Sequence, residues 1–484
     1  RLVDRLGGEL TASVDGVLLA AEDVELMSTA LMYFAKALQD GADYAVCNAV
    51  FGFGGATALY QSQPLQAQNR CAVVSRTLLE RCRAAAHDPE NVPELLALAA
   101  QLCTKPTLIP QALLHYERGI CAEDAFSAHG KRAFIMSHVL DMTGAPIVLV
   151  SAVPVLRSMG YEVLVLGPSD GGSLHLFLDA GASVITRSSC RNVSDAWGMA
   201  LCADFVIANT VVMARAVRAL SGTAVPVLWW LHDAFAGYPH IAHQIPTQLG
   251  ENVRVYSVGS HAANAMHAVR PEFEIRPLIY GLPDYAAENF VRTDLGYNRG
   301  RPLFATVGSF ERRKGHDIFC KAIRLLPPEV REKASFLFVG QAADKEMMDS
   351  VRALTADYPE NVYYCKRLTR DEIKSLMEQC TGLVCASRDD PMPTFVTEGL
   401  IFGKPSIVSE HTGTAGLISE GRNGFVYHND DPQQLAVLLE HAIEHPEELA
   451  SMRTECRKMY EQYYSKEAFE QTLRAAVEDL TAKK

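Results

Sequence analysis

The stretch Asp389-Asp390-Pro391-Met392-Pro393-Thr394-Phe395-Val396-Thr397-Glu398-Gly399, followed by Gly403-Lys404-Pro405, sets two carboxylates around the start of a helix. Pro391 and Pro393 forbid helix ahead of Thr394, and Thr394 to Phe402 can then wind freely. A helix start presents unpaired backbone N–H groups and the positive end of a dipole, which suits a phosphate. Glu398 lies one turn inside, above Thr394, where it can accept hydrogen bonds from ribose hydroxyls. Asp390 sits on the loop and faces whatever the phosphate carries. The backbone of Met392, Pro393, Thr394 and Phe395 is then free to meet that group. A nucleotide-sugar site needs these parts.

A second constellation lies upstream. Leu303-Phe304-Ala305-Thr306-Val307-Gly308 reads as an apolar strand ending at a glycine, and Ser309-Phe310-Glu311-Arg312-Arg313-Lys314-Gly315 leads into an amphipathic helix. Three cations at a helix start form an anion clamp, since point charges and N–H dipoles converge on one place.

Together these segments resemble retaining family 4 glycosyltransferases of the GT-B fold, of the bacterial surface-polysaccharide type. The resemblance rests on two acids separated by seven residues and on the Gly-Lys-Pro turn into Pro405-Ser406-Ile407-Val408-Ser409. The first acid is Asp390 where that family has Glu, one methylene longer. The family's Gly-Arg-x-x-x-x-Lys-Gly segment holds the donor diphosphate. Lys314 matches its lysine, Ser309 stands at its arginine, and either Arg312 or Arg313 is left to substitute. The resemblance also implies that His232, closing Val227-Leu228-Trp229-Trp230-Leu231-His232-Asp233, lies near the transferred sugar. It implies that Thr143 and Gly144, in Ser137-His138-Val139-Leu140-Asp141-Met142-Thr143-Gly144, form an acceptor-side loop in which glycine allows a tight turn. His232 and Asp390 are thus the expected catalytic residues. The nucleotide sugar is the donor, and neither metal nor other cofactor is required, because helix dipole and basic side chains neutralise the diphosphate.

The elements that must hold these residues alternate twice along the chain. Arg132–Ser137, Glu162–Leu166, Ser183–Thr186, Phe205–Ala208, Val225–Leu231 and Val253–Val258 read as buried strands separated by helix-length segments. Leu303–Val307, Phe336–Val339, Val362–Cys365, Gly382–Ala386, Ser406–Val408 and Phe425–Tyr427 repeat the pattern after the turn-rich stretch Gly281–Arg301. This predicts an α/β protein with two Rossmann-like domains facing a cleft, over residues 131–300 (acceptor side) and 301–465 (nucleotide-sugar side). The resemblance adds a C-terminal helix, 466–484, crossing back, and a hinge at Tyr280-Gly281-Leu282-Pro283-Asp284.

Residues 1–125 form an N-terminal α/β segment that resembles part of a family 2, GT-A domain, through Val17–Leu26, Ala42–Val46, Asn69–Arg76 and Thr107–Arg118. Ala20 stands where that family has its first metal-binding Asp, leaving Glu22 and Asp23, which point to opposite faces if they lie on a strand. A degenerate or truncated domain without transferase activity of its own is expected.

Composition narrows the classes. The chain has 484 residues, 48% hydrophobic and 21% charged, which suits two or three globular domains. Net charge −12 argues against nucleic-acid partners. Twelve cysteines without framework spacing, no membrane-length apolar run and no signal peptide suggest a cytoplasmic protein, or one peripheral at the inner face of a membrane. The chain opens on Arg1 rather than Met, which leaves its natural start open. Competing motifs are weaker. Gly167-Pro168-Ser169-Asp170-Gly171 fits a nucleophile elbow, but no acid and histidine follow in role. Gly52-Phe53-Gly54-Gly55 reads as a loop, and His240 with His243 want a third metal ligand. The expected function is retaining transfer of a hexosyl or deoxyhexosyl group from a nucleoside diphosphate to a polysaccharide or lipid-linked acceptor, with other polysaccharide-synthesis subunits as candidate partners. The alternatives are a non-catalytic GT-B binding or assembly module, and a serine hydrolase acting through Ser169.

Overall fold

The structure, a computed structural model, describes residues 16–20, 24–26, 30–53, 56–60, 71–85, 89, 91–116, 131–168, 171–186 and 199–482. Among these, the strands form three sheets. The first holds β1 (Gly16–Ala20), β2 (Val24–Leu26), β3 (Tyr44–Phe53), β4 (Ala56–Tyr60), β5 (Cys71–Ser75) and β6 (Pro106–Tyr116), in the order β1-β5-β3-β6-β2 with β4 on β3. Its β3–β6 pair is parallel and its other pairs are antiparallel. Tyr44, Val46, Ala72 and Val74 pack under Leu78, Leu95 and Leu96 of the helices Arg76–Ala84 and Val92–Leu102. Asp43 ties the edge of this layer together. Burial disfavours its charge, yet the amides of Thr104 and Lys105, the Thr104 hydroxyl and Arg81 outweigh that and draw its pKa down to about 2. Gly52 and Phe53, expected in a loop, belong to β3 and face Thr57 and Ala56 of β4. That hairpin escaped the sequence reading because its alternation is too weak to separate strand from loop. Glu22 and Asp23 lie outside the described residues, as does Ser169.

The second sheet holds β7 (Lys131–Met136), β8 (Tyr161–Gly167), β9 (Ser183–Thr186), β10 (Phe205–Asn209), β11 (Val227–Leu231), β12 (Val253–Ser257) and β13 (Ile275–Pro277). Its order is β13-β12-β11-β10-β7-β8-β9. The third holds β14 (Leu303–Val307), β15 (Ser335–Val339), β16 (Val362–Cys365), β17 (Gly382–Cys385), β18 (Ser406–Ser409) and β19 (Gly424–Tyr427), ordered β16-β15-β14-β17-β18-β19. Counted from its own first strand, each runs 3-2-1-4-5-6, with β13 added as a seventh strand in the second sheet; this is the doubly wound order that reverses direction between strands 1 and 4. All pairs of the third sheet are parallel, so its strands are apolar on both faces; Leu303, Phe304, Ala305, Phe336, Leu337 and Phe338 are fully buried or nearly so. The strands fall where the alternating pattern expected them, within two residues at each end. The three-residue β13 is an addition.

The chain divides into two compact units: residues up to Leu228 with Gln248–Val253 and Val477 onward, and Trp229–Thr247 with Arg254–Ala476. The last helix spans Lys466–Thr481, and its final turn groups with the first unit. No helix among the described residues is long and apolar enough to cross a membrane.

Candidate functional site

In the second unit, β14 and β17 are neighbours, with Phe304 opposite Gly382 and Ala305 opposite Leu383. They are strands 1 and 4 of the third sheet, so the loops leaving their C-terminal ends flank the point where the strand order reverses. After β14 come Gly308, Ser309 and a single 3-10 turn, Arg312–Lys314. Gly315 follows with φ 66°, and a Cβ there would stand 1.8 Å from the Ala386 carbonyl oxygen. Only glycine permits both that conformation and that approach. Arg388 fastens the two loops side by side. Its guanidinium donates to both oxygens of Asp317 at 2.8 Å, to the Arg312 carbonyl at 2.8 Å and to Asp430.

The loops bring Lys314 and Asp390 together. Lys314 Nζ lies 2.6 Å from Asp390 Oδ2, and the Asp390 side chain is 4% exposed. Ser387 Oγ donates to the same oxygen at 3.4 Å, and the Met392 amide donates to Oδ1 at 3.3 Å. Arg313 donates to the Asp389 carbonyl and to Glu311, and stands 3.9 Å from Asp390. Ser309 Oγ donates to Glu311. Arg312 is exposed, and its carbonyl, not its guanidinium, is what the neighbouring loop uses. Between the two arginines left open by the sequence, Arg313 is the one that borders the Lys314–Asp390 pair.

The helix Thr394–Ile401 starts behind Pro393, as the prolines dictate. Met392, Pro393 and Phe395 are buried and Thr394 is exposed. The Met392 side chain is packing, with its sulfur accepting from Tyr464 Oη at 3.2 Å, so only its backbone is offered to a ligand. Glu398 is buried, and Arg370 Nη1 donates to its Oε1 at 2.7 Å. Burial raises the Glu398 pKa, and the Arg370 charge and hydrogen bond oppose that rise. Arg370 in turn lies over the Tyr285 ring, 4.4 Å from its centroid.

His232 follows β11, its ring tilted 4.6 Å from Trp230. The backbone just beyond it is held by Asp389, which accepts from the amides of Phe235 (3.1 Å) and Ala236 (2.9 Å) and meets His261 Nε2 at 2.7 Å. Burial works against the Asp389 charge, but these donors prevail and hold its pKa below the ordinary carboxylate value.

In the first unit, the corresponding reversal lies between β7 and β10. Ser137 follows β7, Asn209 ends β10 and Thr210 follows it; all three are buried. Both polar atoms of the Asn209 side chain lack a hydrogen-bond partner among the described residues. Thr210 has φ 74°, an outlier for a β-branched residue. Thr143 precedes the helix Gly144–Ser158 and donates from amide and hydroxyl to Asp141. Gly144 is that helix's first residue, without positive φ, and a Cβ there would touch nothing within 4 Å. The expected tight turn is therefore not what this glycine serves; the open space in front of it remains.

The structure thus unites Ser309, Arg313, Lys314, Asp390, Thr394 and Glu398 around the loops of two adjacent strands, and carries Thr143 and Gly144 on the other unit. Sequence reasoning missed Arg370, Arg388, Asp389 and His261. Arg370 opens a capped helix far along the chain, and no local spacing links it to Glu398. Among the described residues no three of His, Cys, Asp or Glu gather as a metal would require, so His240 and His243 find no third member there.

Comparison with known proteins agrees with this fold. Residues 129–272 match the model of the family "Glycosyl-transferase family 4", and residues 288–459 match that of "Glycosyl transferases group 1". An uncharacterised glycosyltransferase of Methanocaldococcus jannaschii is 25% identical over 194 residues, 40% of this chain and 53% of that protein. Spore coat protein SA of Bacillus subtilis is 26% identical over 160 residues, 31% of this chain and 41% of that one. The matches thus span about half or less of the curated relatives' length. HepE of Anabaena, solved with UDP, superposes with a TM-score of 0.59 at 19% identity, covering 72% of this chain and 100% of HepE. Sucrose-phosphate synthase of Thermosynechococcus elongatus gives 0.58 at 15% identity, covering 73% and 100%. Two family matches laid end to end, on two doubly wound sheets, make residues 129–459 a glycosyltransferase region of the GT-B fold.

Proposed function

We propose that this chain transfers a hexosyl or deoxyhexosyl group from a nucleoside diphosphate to a polysaccharide or lipid-linked acceptor, with retention of configuration. One observation carries the reading: at the strand reversal of the third sheet Lys314 pairs with buried Asp390 just ahead of the helix Thr394–Ile401, and Glu398 is buried one turn inside that helix. The lysine and the free helix amides offer positive charge to a diphosphate. Glu398 offers acceptors to a ribose diol. HepE structures holding UDP, UDP with glucose, and UDP-glucose support a nucleotide-sugar donor. Neutralisation of the leaving diphosphate lets the glycosidic bond break while the departing phosphate takes the acceptor's proton on the same face. His232 is assigned to the neighbourhood of the transferred sugar. The donor is a substrate and the reaction uses no metal or other cofactor.

A thermal-shift screen against UDP, GDP, dTDP and CDP, followed by transfer assays with and without chelator, tests this. Stabilisation by one diphosphate and activity that survives chelation are expected. A folded protein that binds none of them is not a transferase of this kind, and full inhibition by chelator removes the metal-free mechanism.

A further inference from the structure

Arg370 stands at an unfavourable place. It is the first residue of the helix Arg370–Gln379, where a positive side chain opposes the helix dipole. Its backbone is nonetheless fixed: Thr369 caps the Glu372 amide while Glu372 accepts from the Thr369 amide at 2.7 Å, a closed capping box. The side chain is fixed as well, by the Tyr285 ring on one side and Glu398 Oε1 on the other. Oε2 of Glu398 forms no hydrogen bond among the described residues, although a carboxylate has about four acceptor positions.

We propose that Arg370 is the positioning residue of the donor site: stacked on Tyr285, it holds the Glu398 carboxylate by Oε1, leaves Oε2 to a vicinal diol and maintains the negative charge that such a diol needs. The inference rests on the assignment of Glu398 to the donor's ribose. A protonated carboxyl offers one donor and a weaker acceptor, so it cannot take two hydroxyl protons as the carboxylate does. Burial favours that protonated form, and Arg370 is the cation that opposes it. The other groups around the helix do not substitute. Tyr280 and Tyr285 are pushed upward by burial and stay neutral through the physiological range. Arg457 is committed to Asp284 and to the Ile401 carbonyl at the far end of the helix. Lys374 is committed to Glu288. Asp390 is committed to Lys314.

The test compares affinity for the diphosphate that binds best in the screen above, chosen among those carrying a 2′,3′-diol, with affinity for its 2′,3′-dideoxy analogue. Isothermal titration across pH, from about 6 to about 8.5, is run on wild type, Arg370→Met and Arg370→Lys. Wild type should prefer the diol at every pH. Arg370→Met should lose about tenfold of that preference at the acid end and recover it at the alkaline end. Arg370→Lys should restore the wild-type profile, and it keeps the test decisive should Arg370→Met misfold: a folded Lys variant without diol preference at any pH overturns the charge argument. If wild type does not distinguish the two nucleotides, the ribose assignment falls and this inference with it. If wild type distinguishes them and Arg370→Met has an unshifted profile, the assignment stands and Arg370 is only structural.

Discussion

The two doubly wound sheets share one strand order and differ in what stands at its reversal. In the third sheet that point carries Lys314, Asp390, Arg313 and, one turn into the helix, Glu398. In the second it carries Ser137, Asn209 and Thr210, with no charged side chain among them. Topology therefore supplies the location in both cases, and residue type decides the ligand. A reversal lined by paired charges suits a diphosphate, whereas one lined by neutral polar groups suits hydroxyls. Among the described residues the charged reversal is also the better satisfied of the two: Asp390 has a partner for each oxygen, while Asn209 has none for either polar atom.

The largest expected effect comes from stripping the charged reversal. Lys314→Ala leaves the buried Asp390 carboxylate with only the Ser387 hydroxyl, the Met392 amide and Arg313 at 3.9 Å, and should destabilise the protein by about 3 kcal/mol, the lower end for breaking a buried ion pair. Adding Asp390→Asn should return much of that loss without returning transfer activity. Denaturant melts of the single and double variants measure it, and a stable Lys314→Ala protein would mean that Arg313, Ser387 and the Met392 amide suffice to hold Asp390. Because of this pairing, loss of nucleotide binding in Lys314→Ala alone does not separate a phosphate contact from a structural one.

The next effect divides function from stability. Glu398→Gln should weaken nucleotide binding by about 1.5–3 kcal/mol, the range for a hydrogen bond to a charged group. It should also leave the unliganded protein as stable as wild type or more so at neutral pH. Burial raises the Glu398 pKa, so stability falls as pH rises from the unfolded value toward the folded one, and the ionised form carries that cost at pH 7. Calorimetry and thermal melts read the two halves separately. A large drop in melting temperature would show that the Arg370 pair holds the fold.

His316 gives the third. It is 2% exposed, and burial, aided by Lys314, pushes its pKa down to about 3. The unfolded chain then binds the proton more readily, so stability should decline as pH falls from about 6.5 towards 3, at up to ~1.4 kcal/mol per pH unit. His316→Leu should flatten that acid limb in urea melts at several pH values. The smallest effect belongs to the neutral reversal. Asn209→Ala removes a group with no hydrogen bond to lose among the described residues, and should change stability by no more than about 1 kcal/mol. A cost above about 2 kcal/mol would reveal a buried water or ligand that this amide serves.

The legibility of these features followed their range in sequence. Strand runs such as Leu303–Val307 and Val362–Cys365 stand in the structure with the bounds that their apolar pattern gives. The helix after Pro393 does so because proline is an unambiguous signal. The hairpin β3–β4 was not legible, since its strands lack clear alternation. Within the site, the residues near the two motifs were found. Those that reach it from afar were not: Arg370 meets a residue 28 positions on, and His261 one 128 positions on. Asp389 was in view throughout, but its adjacency to Asp390 concealed a separate task, because neighbouring side chains on a turn serve different surroundings.

Asp389 also predicts how the protein tolerates change. Three donors converge on its carboxylate, two of them backbone amides that only a proline at 235 or 236 could remove. Asparagine would present an NH₂ where one of those donors already points, and alanine would leave all three unanswered. In a saturation library selected for activity, position 389 should come back almost empty, while exposed Arg312, two residues from the lysine, should accept most replacements. The sharpest boundary in such a map would then fall outside the two acids that define the motif, on the one beside them.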